Sequence, residues 1–139
     1  MYQKVVVVGN LGKDPEMRYT PNGHAVCNFN IATNRTYKTS EGVKVEEVTW
    51  FRITTWQKLA ELCNQYLKKG RKVLVEGRLN SDENGNPRVW TRDDGTPAAN
   101  FELTAAEVRF LSPAGDNGNS AEEGPVEENV EVPAEDIPF

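Results

Sequence analysis

The chain has 139 residues, enough for one domain with an appendage, and its net charge is −5. Residues 1–110 hold all 16 basic side chains and 13 acidic ones, a balance of +3, whereas residues 111–139 hold 8 acidic side chains and no basic one. The acidic average therefore does not exclude a nucleic-acid surface on the body. The lack of a long apolar run and of a signal-peptide pattern argues against a membrane partner and favours a cytoplasmic location.

The first half of the chain predicts three strands. β-branched residues crowd positions 4–11, which we expect to form a strand buried on both faces. A turn with Pro21 and Gly23 follows, and apolar and polar side chains then alternate through 25–37. A third alternating strand, 45–56, lies beyond a hairpin loop.

A helix and a fourth strand come next. Apolar residues in 58–69 recur at the spacing of one helical face, which predicts a helix. Lys68 and Lys69 would lie in its last turn, where cations favour the helix dipole, and Gly70 is a C-terminal stop signal. Residues 71–79 then predict another strand.

The closing strand, 100–111, contains a change of parity. Its inward set shifts from Phe101, Leu103 and Ala105 to Ala106, Val108 and Phe110, which indicates a bulge. The long polar segment 80–99 precedes it and contains a candidate ribbon at 88–92. Because long loops are unusual in compact domains, we expect this segment to be functional.

The order of three strands, one helix and two strands is that of an OB-fold. This fold is a five-stranded, partly open Greek-key barrel, here with the helix between strands three and four. We expect it to occupy residues 1–111. Residues 112–139 are rich in Gly, Asn, Ser, Pro and Glu, so we expect a disordered acidic tail.

Catalytic and metal chemistry find little support in the sequence. Cys27 and Cys63 each fall within an apolar pattern and are expected to be buried thiols. His24 is a lone turn residue, and the chain shows no spacing typical of metal ligands. We therefore predict a protein that is not an enzyme and that needs no cofactor or metal.

Two tryptophans and an arginine on the third strand carry the main functional signal. Trp50, Arg52 and Trp56 share the outward parity, although tryptophan is normally buried. Exposed rings interleaved with a guanidinium suit unpaired nucleic acid, because bases stack on the rings and arginine neutralises phosphate. The two indoles should lie roughly 20 Å apart along the strand and would serve separate nucleotides.

Other residues extend this candidate surface. Trp90 stands between two arginines in segment 80–99. Tyr37 closes strand two with the inward parity, so it must lie past the barrel end or the strand must twist there. The basic residues that we expect to contact phosphates are Arg35, Arg52, Lys58, Lys72, Arg78, Arg88 and Arg92.

Two other functions remain open at this point. An RNA-binding OB module would also use aromatic residues on a sheet. An interaction protein of a different class would bury the tryptophan row in an oligomer, because Trp, Tyr and Arg are also interface anchors.

The C-terminal tip predicts a second kind of contact. Ile137, Pro138 and Phe139 end the acidic stretch, directly after Glu135 and Asp136. An aromatic side chain with no core of its own is available to another protein. Such a partner would offer an apolar pocket for Phe139 and basic residues for the carboxylates.

Several motifs together resemble the bacterial-type single-stranded DNA-binding protein family. They are residues 7–16 (VVGNLGKDPE), 21–23 (PNG), 50–52 (WFR), 58–61 (KLAE), 66–70 (YLKKG), 75–79 (VEGRL) and 136–139 (DIPF). The resemblance implies a homotetramer of OB-folds that binds single-stranded DNA without sequence preference, in association with the nucleoid. It implies base-stacking roles for Tyr37, Trp50, Trp56 and Trp90. It also implies that the tip recruits replication, recombination and repair proteins.

Overall fold

The computed structural model of the chain describes residues 1–112, and the predicted tail beyond them lies outside the described residues. Eight strands and one helix follow one another in this part of the chain. In order they are β1 (Val5–Leu11), β2 (Glu16–Tyr19), β3 (Ala25–Lys38), β4 (Lys44–Trp56), α1 (Gln57–Tyr66), β5 (Lys72–Leu79), β6 (Val89–Thr91), β7 (Pro97–Ala99) and β8 (Phe101–Phe110).

Five of these strands close into a barrel in the order β1–β5–β8–β4–β3, with β1 returning to β3 at Asn10 and Leu11. Neighbours in the barrel are antiparallel except for β4 and β8, which run parallel. The helix α1 connects β4 to β5 and packs mainly against β3 and β4. The predicted OB-fold is confirmed, because the helix lies between the third and fourth of the five barrel strands.

Alternate side chains of the barrel strands fill a single core, as the period of a strand requires. Ile31, Ile53 and Leu103 are fully buried on three neighbouring strands. Thr55 is buried with them, and its hydroxyl donates a hydrogen bond of 3.0 Å to the carbonyl of Cys27. The inward parity predicted for β4 is therefore correct, and its other parity lies on the outer wall.

The prediction that the first strand is buried on both faces is wrong. Val7, Gly9 and Leu11 are buried, whereas Val6 and Val8 are 52% and 44% exposed. A run of β-branched residues does not distinguish one buried face from two, and a barrel strand has only one interior face. An ion pair of 3.0 Å between Lys4 and Glu76 borders the outer face. Its hydrogen bond lowers the pKa of Glu76 and raises that of Lys4.

The helix ends earlier than predicted, at Tyr66. Leu67 is extended and buried, so the chain leaves the helix to place this side chain in the core. Lys68 and Lys69 therefore lie outside the last turn, contrary to the prediction. Gly70 has a positive φ of 88°, but it belongs to the turn into β5, where its N–H donates to the carbonyl of Leu11.

The predicted bulge in the closing strand is confirmed. The pairing of β5 with β8 shifts between Glu76 and Gly77, and Ala106 is the extra residue, exposed between the buried Ala105 and Val108. The inward assignment of Ala106 is therefore wrong. Phe101 was also expected to face inward, but it is 60% exposed because it lies at the open end of the barrel, beside the half-buried Phe51.

Both cysteines are fully buried free thiols, as predicted. Burial raises the pKa of Cys27 to about 11 and raises that of Cys63 further. Within residues 1–112, no group of three or more His, Cys, Asp or Glu side chains is placed to hold a metal ion. The helix found in that same stretch is too short and too polar to cross a membrane.

Candidate nucleic-acid interface

The outer face of β4 presents Trp50, Arg52 and Trp56 in one row, which we call the tryptophan face. Trp50 is 51% exposed and Trp56 is 44% exposed, with the exposed Arg52 between them. Their partners across the β3–β4 ladder are Ala32, Asn30 and Val26. All three partners are smaller than an indole, so the rings of Trp50 and Trp56 stand above them on the barrel wall. The outward parity predicted for this row is confirmed.

The indole of Trp50 packs on a glycine. A Cβ atom built on Gly12 would lie 2.7 Å from both Cζ3 and Cη2 of the Trp50 ring, closer than real Cβ atoms approach. Gly12 follows β1, and its N–H donates to the carbonyl of Asn30. The missing side chain at position 12 therefore lets one edge of the indole rest on the backbone while about half of its surface stays open.

Arg52 borders a small polar cleft. The cleft has a volume of about 60 Å³ and is also lined by Lys13, Asp14, Asn28 and Asn30. Asn28 accepts a hydrogen bond of 2.9 Å from the hydroxyl of Thr54, which fixes its amide below the row. Arg52 and Lys13 border this cleft together with the carboxylates of Asp14 and Glu16, so the formal charges around the cleft balance.

Tyr37 and Arg35 lie on the part of the β3–β4 hairpin that projects past the barrel. Their parity is that of the barrel interior, but both faces of the hairpin are exposed at this level, as the sequence indicated for Tyr37. The Arg35 guanidinium lies 4.6 Å from the centroid of the Tyr37 ring and 2.6 Å from a Glu47 carboxylate oxygen. Arg35 therefore holds the ring in place while its own charge is paired.

The predicted ribbon in segment 80–99 is a two-stranded sheet formed by β6 and β7. Trp90 is 43% exposed on β6, opposite Ala98. The flanking arginines contact the protein itself. Arg88 forms an ion pair with Glu102, and Arg92 donates to the hydroxyl of Thr96 and to a backbone carbonyl.

The remaining basic residues lie on other parts of the wall. Lys58 is exposed in the first turn of α1, directly after the tryptophan face. Lys72 and Arg78 are exposed at opposite ends of β5, which β8 separates from β4 in the barrel. The structure thus brings Trp50, Arg52, Trp56 and Lys58 together. The other predicted contacts lie on two projecting ribbons and on β5.

The exposure of Phe101 and Tyr19 was not predicted from the sequence. Phe101 was assigned inward, yet its ring is open and lies 5.6 Å from that of Phe51. Tyr19 is exposed on β2, a strand that was not predicted. The position of Phe101 in the sequence already indicated its exposure. It is the first residue of β8, and the first inward residue of a strand that starts at a barrel end has no neighbour beyond it to cover it.

Comparison with known proteins identifies the family. A model of the single-strand binding protein family matches residues 2–111. The chain belongs to this family. The match covers the whole barrel, the tryptophan face and both ribbons, so the elements described above all lie within the shared domain.

Relatives and solved structures of single-strand binding proteins agree with this assignment. The chain is 43% identical over 123 residues to the single-stranded DNA-binding protein of Neisseria meningitidis serogroup A, covering 87% of this chain and 67% of that one. It is 40% identical over 115 residues to that of Wolinella succinogenes, with 83% and 67% covered.

Among solved structures, the Plasmodium falciparum SSB in complex with ssDNA superposes with a TM-score of 0.66 at 25% identity, covering 81% of this chain and 96% of that one. A deletion mutant of the single-stranded DNA binding protein from Thermus aquaticus superposes with a TM-score of 0.63 at 29% identity, covering 78% of this chain and 50% of that one.

Proposed function

We propose that this protein binds single-stranded DNA without sequence preference, by stacking bases on Trp50 and Trp56 and placing phosphates near Arg52. The exposed row on the outer face of β4 is the observation that carries the proposal. Every base has a face that stacks on an indole, so such a surface is tolerant of sequence. Membership of the family and the names of the relatives support the same ligand.

A titration with oligo-dT tests this function. Bases that stack on Trp50 and Trp56 should quench tryptophan emission. Added salt should weaken binding, because the counterions that binding releases from DNA then enter a more concentrated salt solution. A matched oligo-U titration separates DNA from the RNA alternative, because an RNA-binding module should prefer oligo-U, whose 2′-hydroxyls oligo-dT lacks. Unchanged emission and no measurable binding of oligo-dT would refute the proposal.

Charge reversal at Arg52 separates DNA binding from burial of the row in an oligomer. Arg52→Glu should weaken oligo-dT binding by about 1.5–3 kcal/mol, since a charged hydrogen bond to phosphate is lost. That is a rise in Kd of roughly 10- to 150-fold. Arg52→Lys is the matched control, because it keeps the charge and should retain most of the affinity. If Arg52→Glu binds oligo-dT as tightly as the unaltered protein does, the row is buried between copies of the chain in an oligomer.

We also propose that the barrel domain does not catalyse a reaction. At neutral pH the raised pKa of Cys27, about 11, keeps the thiol protonated, and both cysteines are buried away from any ligand. We infer that binding, and not bond-making, is the activity of residues 1–112.

Assembly into a homotetramer is part of the proposal. Val6 and Val8 form an exposed apolar strip on the outer face of β1. Within residues 1–112, the segment 5–9 of β1 pairs only with β5, so its other edge offers unpaired backbone groups. An apolar strip beside an open strand edge is a template for pairing with another copy of the chain.

The C-terminal tip is proposed to recruit proteins of DNA replication, recombination and repair. Glu135, Asp136, Ile137, Pro138 and Phe139 lie outside the described residues, so this part rests on their sequence alone. We further propose that the tail, with its 8 acidic side chains and no basic one, competes with DNA for the net-basic body.

Truncation after Ser112 tests both roles of the tail. Ser112 is kept because its hydroxyl accepts a hydrogen bond from the N–H of Lys72. The truncated protein should bind oligo-dT more tightly than the full chain at low salt. This difference in affinity should shrink as salt is added, because ions screen the charges of the tail in the full chain. Capture of partners from a DNA-free bacterial extract should be lost. Phe139→Ala keeps every charge and should abolish capture alone, whereas capture by the truncated protein would contradict the assignment.

A further inference from the structure

A strained residue stands directly after Trp56. Among residues 1–112, Gln57 is the one non-glycine residue with a positive φ, 62°. Residues other than glycine rarely adopt this left-handed conformation, because their Cβ atom then crowds the following carbonyl oxygen. Such outliers persist where the surrounding structure holds them, and they concentrate at binding sites.

The strain lies at the change from strand to helix. Trp56 is still extended, with φ −127° and ψ 149°, and α1 begins at the next residue. Trp56 also provides no side-chain hydrogen bond to the helix N-terminus. The change of direction from strand to helix therefore falls at Gln57, the residue bonded directly to Trp56.

The side chain of Gln57 is held from a second element. Its Nε2 lies 2.7 Å from Nδ1 of His24, so the amide N–H donates to the unprotonated ring nitrogen. His24 itself belongs to a tight turn with Thr20. Three hydrogen bonds close that turn: Thr20 N–H to the His24 carbonyl at 2.9 Å, Gly23 N–H to the Thr20 carbonyl at 2.8 Å, and His24 N–H to the Thr20 hydroxyl at 3.1 Å.

The strand register places this contact beside the tryptophan face. Trp56 is paired with Val26, and His24 lies just before β3 begins at Ala25. This exposed hydrogen bond of 2.7 Å ties the side chain of Gln57 to a closed turn and so favours the left-handed conformation of its backbone. The imidazole of His24, which no part of the DNA-binding proposal uses, has a structural reason to be at this turn.

We propose that His24 and Gln57 form a clamp that orients Trp56 for stacking on a base. This inference rests on the proposed function and adds two positioning residues to it, since neither side chain needs to touch DNA. The clamp acts by stabilising a backbone conformation that glutamine would otherwise leave. A glycine at position 57 adopts that conformation without help, because it has no Cβ. The substitutions at the two positions should therefore not be additive.

Substitutions at His24 and Gln57 test the clamp in a variant whose only tryptophan is Trp56, so that all tryptophan emission comes from this residue. The chain has three tryptophans, so Trp50→Phe with Trp90→Phe leaves Trp56 as the single emitter. In this background, His24→Ala or Gln57→Ala should raise the Kd for oligo-dT by about 5- to 30-fold, the factor that corresponds to left-handed strain. Both should also reduce the quenching of Trp56 at saturation. Gln65→Ala, an exposed glutamine of the same helix, is the matched control and should leave both unchanged.

Glycine rescue distinguishes positioning from a general loss of stability. Gln57→Gly should bind more tightly than Gln57→Ala, and adding His24→Ala to Gln57→Gly should change the Kd by less than about twofold, because the clamp is no longer needed. Emission anisotropy of Trp56 without DNA gives an independent readout, and it should fall in His24→Ala. Unchanged anisotropy, quenching and Kd in His24→Ala would overturn the clamp. If the unaltered protein fails to bind oligo-dT while the anisotropy of Trp56 in the single-tryptophan background responds to His24→Ala, the function fails and the clamp stands.

Discussion

Replacing Trp50 and Trp56 together with alanine should weaken oligo-dT binding by about 2–6 kcal/mol, because each stacked base contributes about 1–3 kcal/mol. At 25 °C this is a rise in Kd of roughly 30- to 20,000-fold. Both rings are about half exposed, so the alanine variant also loses the buried half of each ring and should unfold at a lower temperature. Binding is therefore compared at a temperature where both proteins stay folded. The measurement is a titration at fixed salt followed by anisotropy of a labelled oligonucleotide, since of the three tryptophans only Trp90 still emits in this variant.

The matched control is Trp50→Phe with Trp56→Phe. Phenylalanine keeps an aromatic face, so this variant should recover a large part of the affinity that alanine loses. Binding of the alanine variant within threefold of the unaltered protein, at a salt concentration where Arg52→Glu binds weakly, would show that phosphate contacts act alone. The stacking mechanism would then be wrong even though the ligand was right.

The tryptophan face was predictable because its signal is local. A strand whose inner parity carries Phe51, Ile53 and Thr55 must present Trp50 and Trp56 on the other side, whatever the rest of the chain does. The bulge in β8 was equally local, since two buried parities in one strand require one extra residue. The helix position followed from its apolar stripe. Together these observations determine an OB-fold and one exposed aromatic face.

The features that sequence reasoning missed depend on three-dimensional neighbours. β2 is four residues long and lies against β3 at its edge, so it has too little periodicity to be recognised. The helix ends at Tyr66 because the core needs Leu67, and no local stop signal marks that residue. The charges of Arg35 and Arg88 are paired with Glu47 and with Glu102, which are 12 and 14 residues away in sequence. Spacing alone cannot show which cations remain available to phosphate.

The clamp at Gln57 illustrates the same limit at a functional position. Nothing in the sequence indicates that a glutamine at the strand–helix junction has a positive φ, or that the turn residue His24 reaches it. The strain becomes visible only when the backbone of β4 and the turn before β3 are placed together. Local rules fail there because a tertiary contact overrides the preference of the residue.

Gly9→Ala should strongly destabilise the barrel wall next to the tryptophan face. A Cβ at Gly9 would lie 2.3 Å from the carbonyl oxygen of Ala32 and 3.0 Å from its carbon, and backbone atoms cannot rotate away. Gly9 pairs with Val73 of β5, and the next residue of β1 pairs with Ala32 of β3, so the added methyl separates the strands where the barrel closes. We expect a loss of about 3 kcal/mol. The melting temperature should fall by roughly 12–24 °C.

Two other glycines serve as controls for this prediction. Gly85 has a φ of 84° and open space around it, so Gly85→Asn should be nearly neutral, because asparagine tolerates the left-handed region. Gly12→Ala meets only the movable ring of Trp50, so it should alter tryptophan emission with a smaller loss of stability than Gly9→Ala. Equal melting temperatures for Gly9→Ala and Gly85→Asn would contradict the closure argument. The predicted order of melting temperatures instead makes the stability of the barrel depend on the close contact between the backbones of Gly9 and Ala32. Ala32 lies directly opposite Trp50 in the β3–β4 ladder.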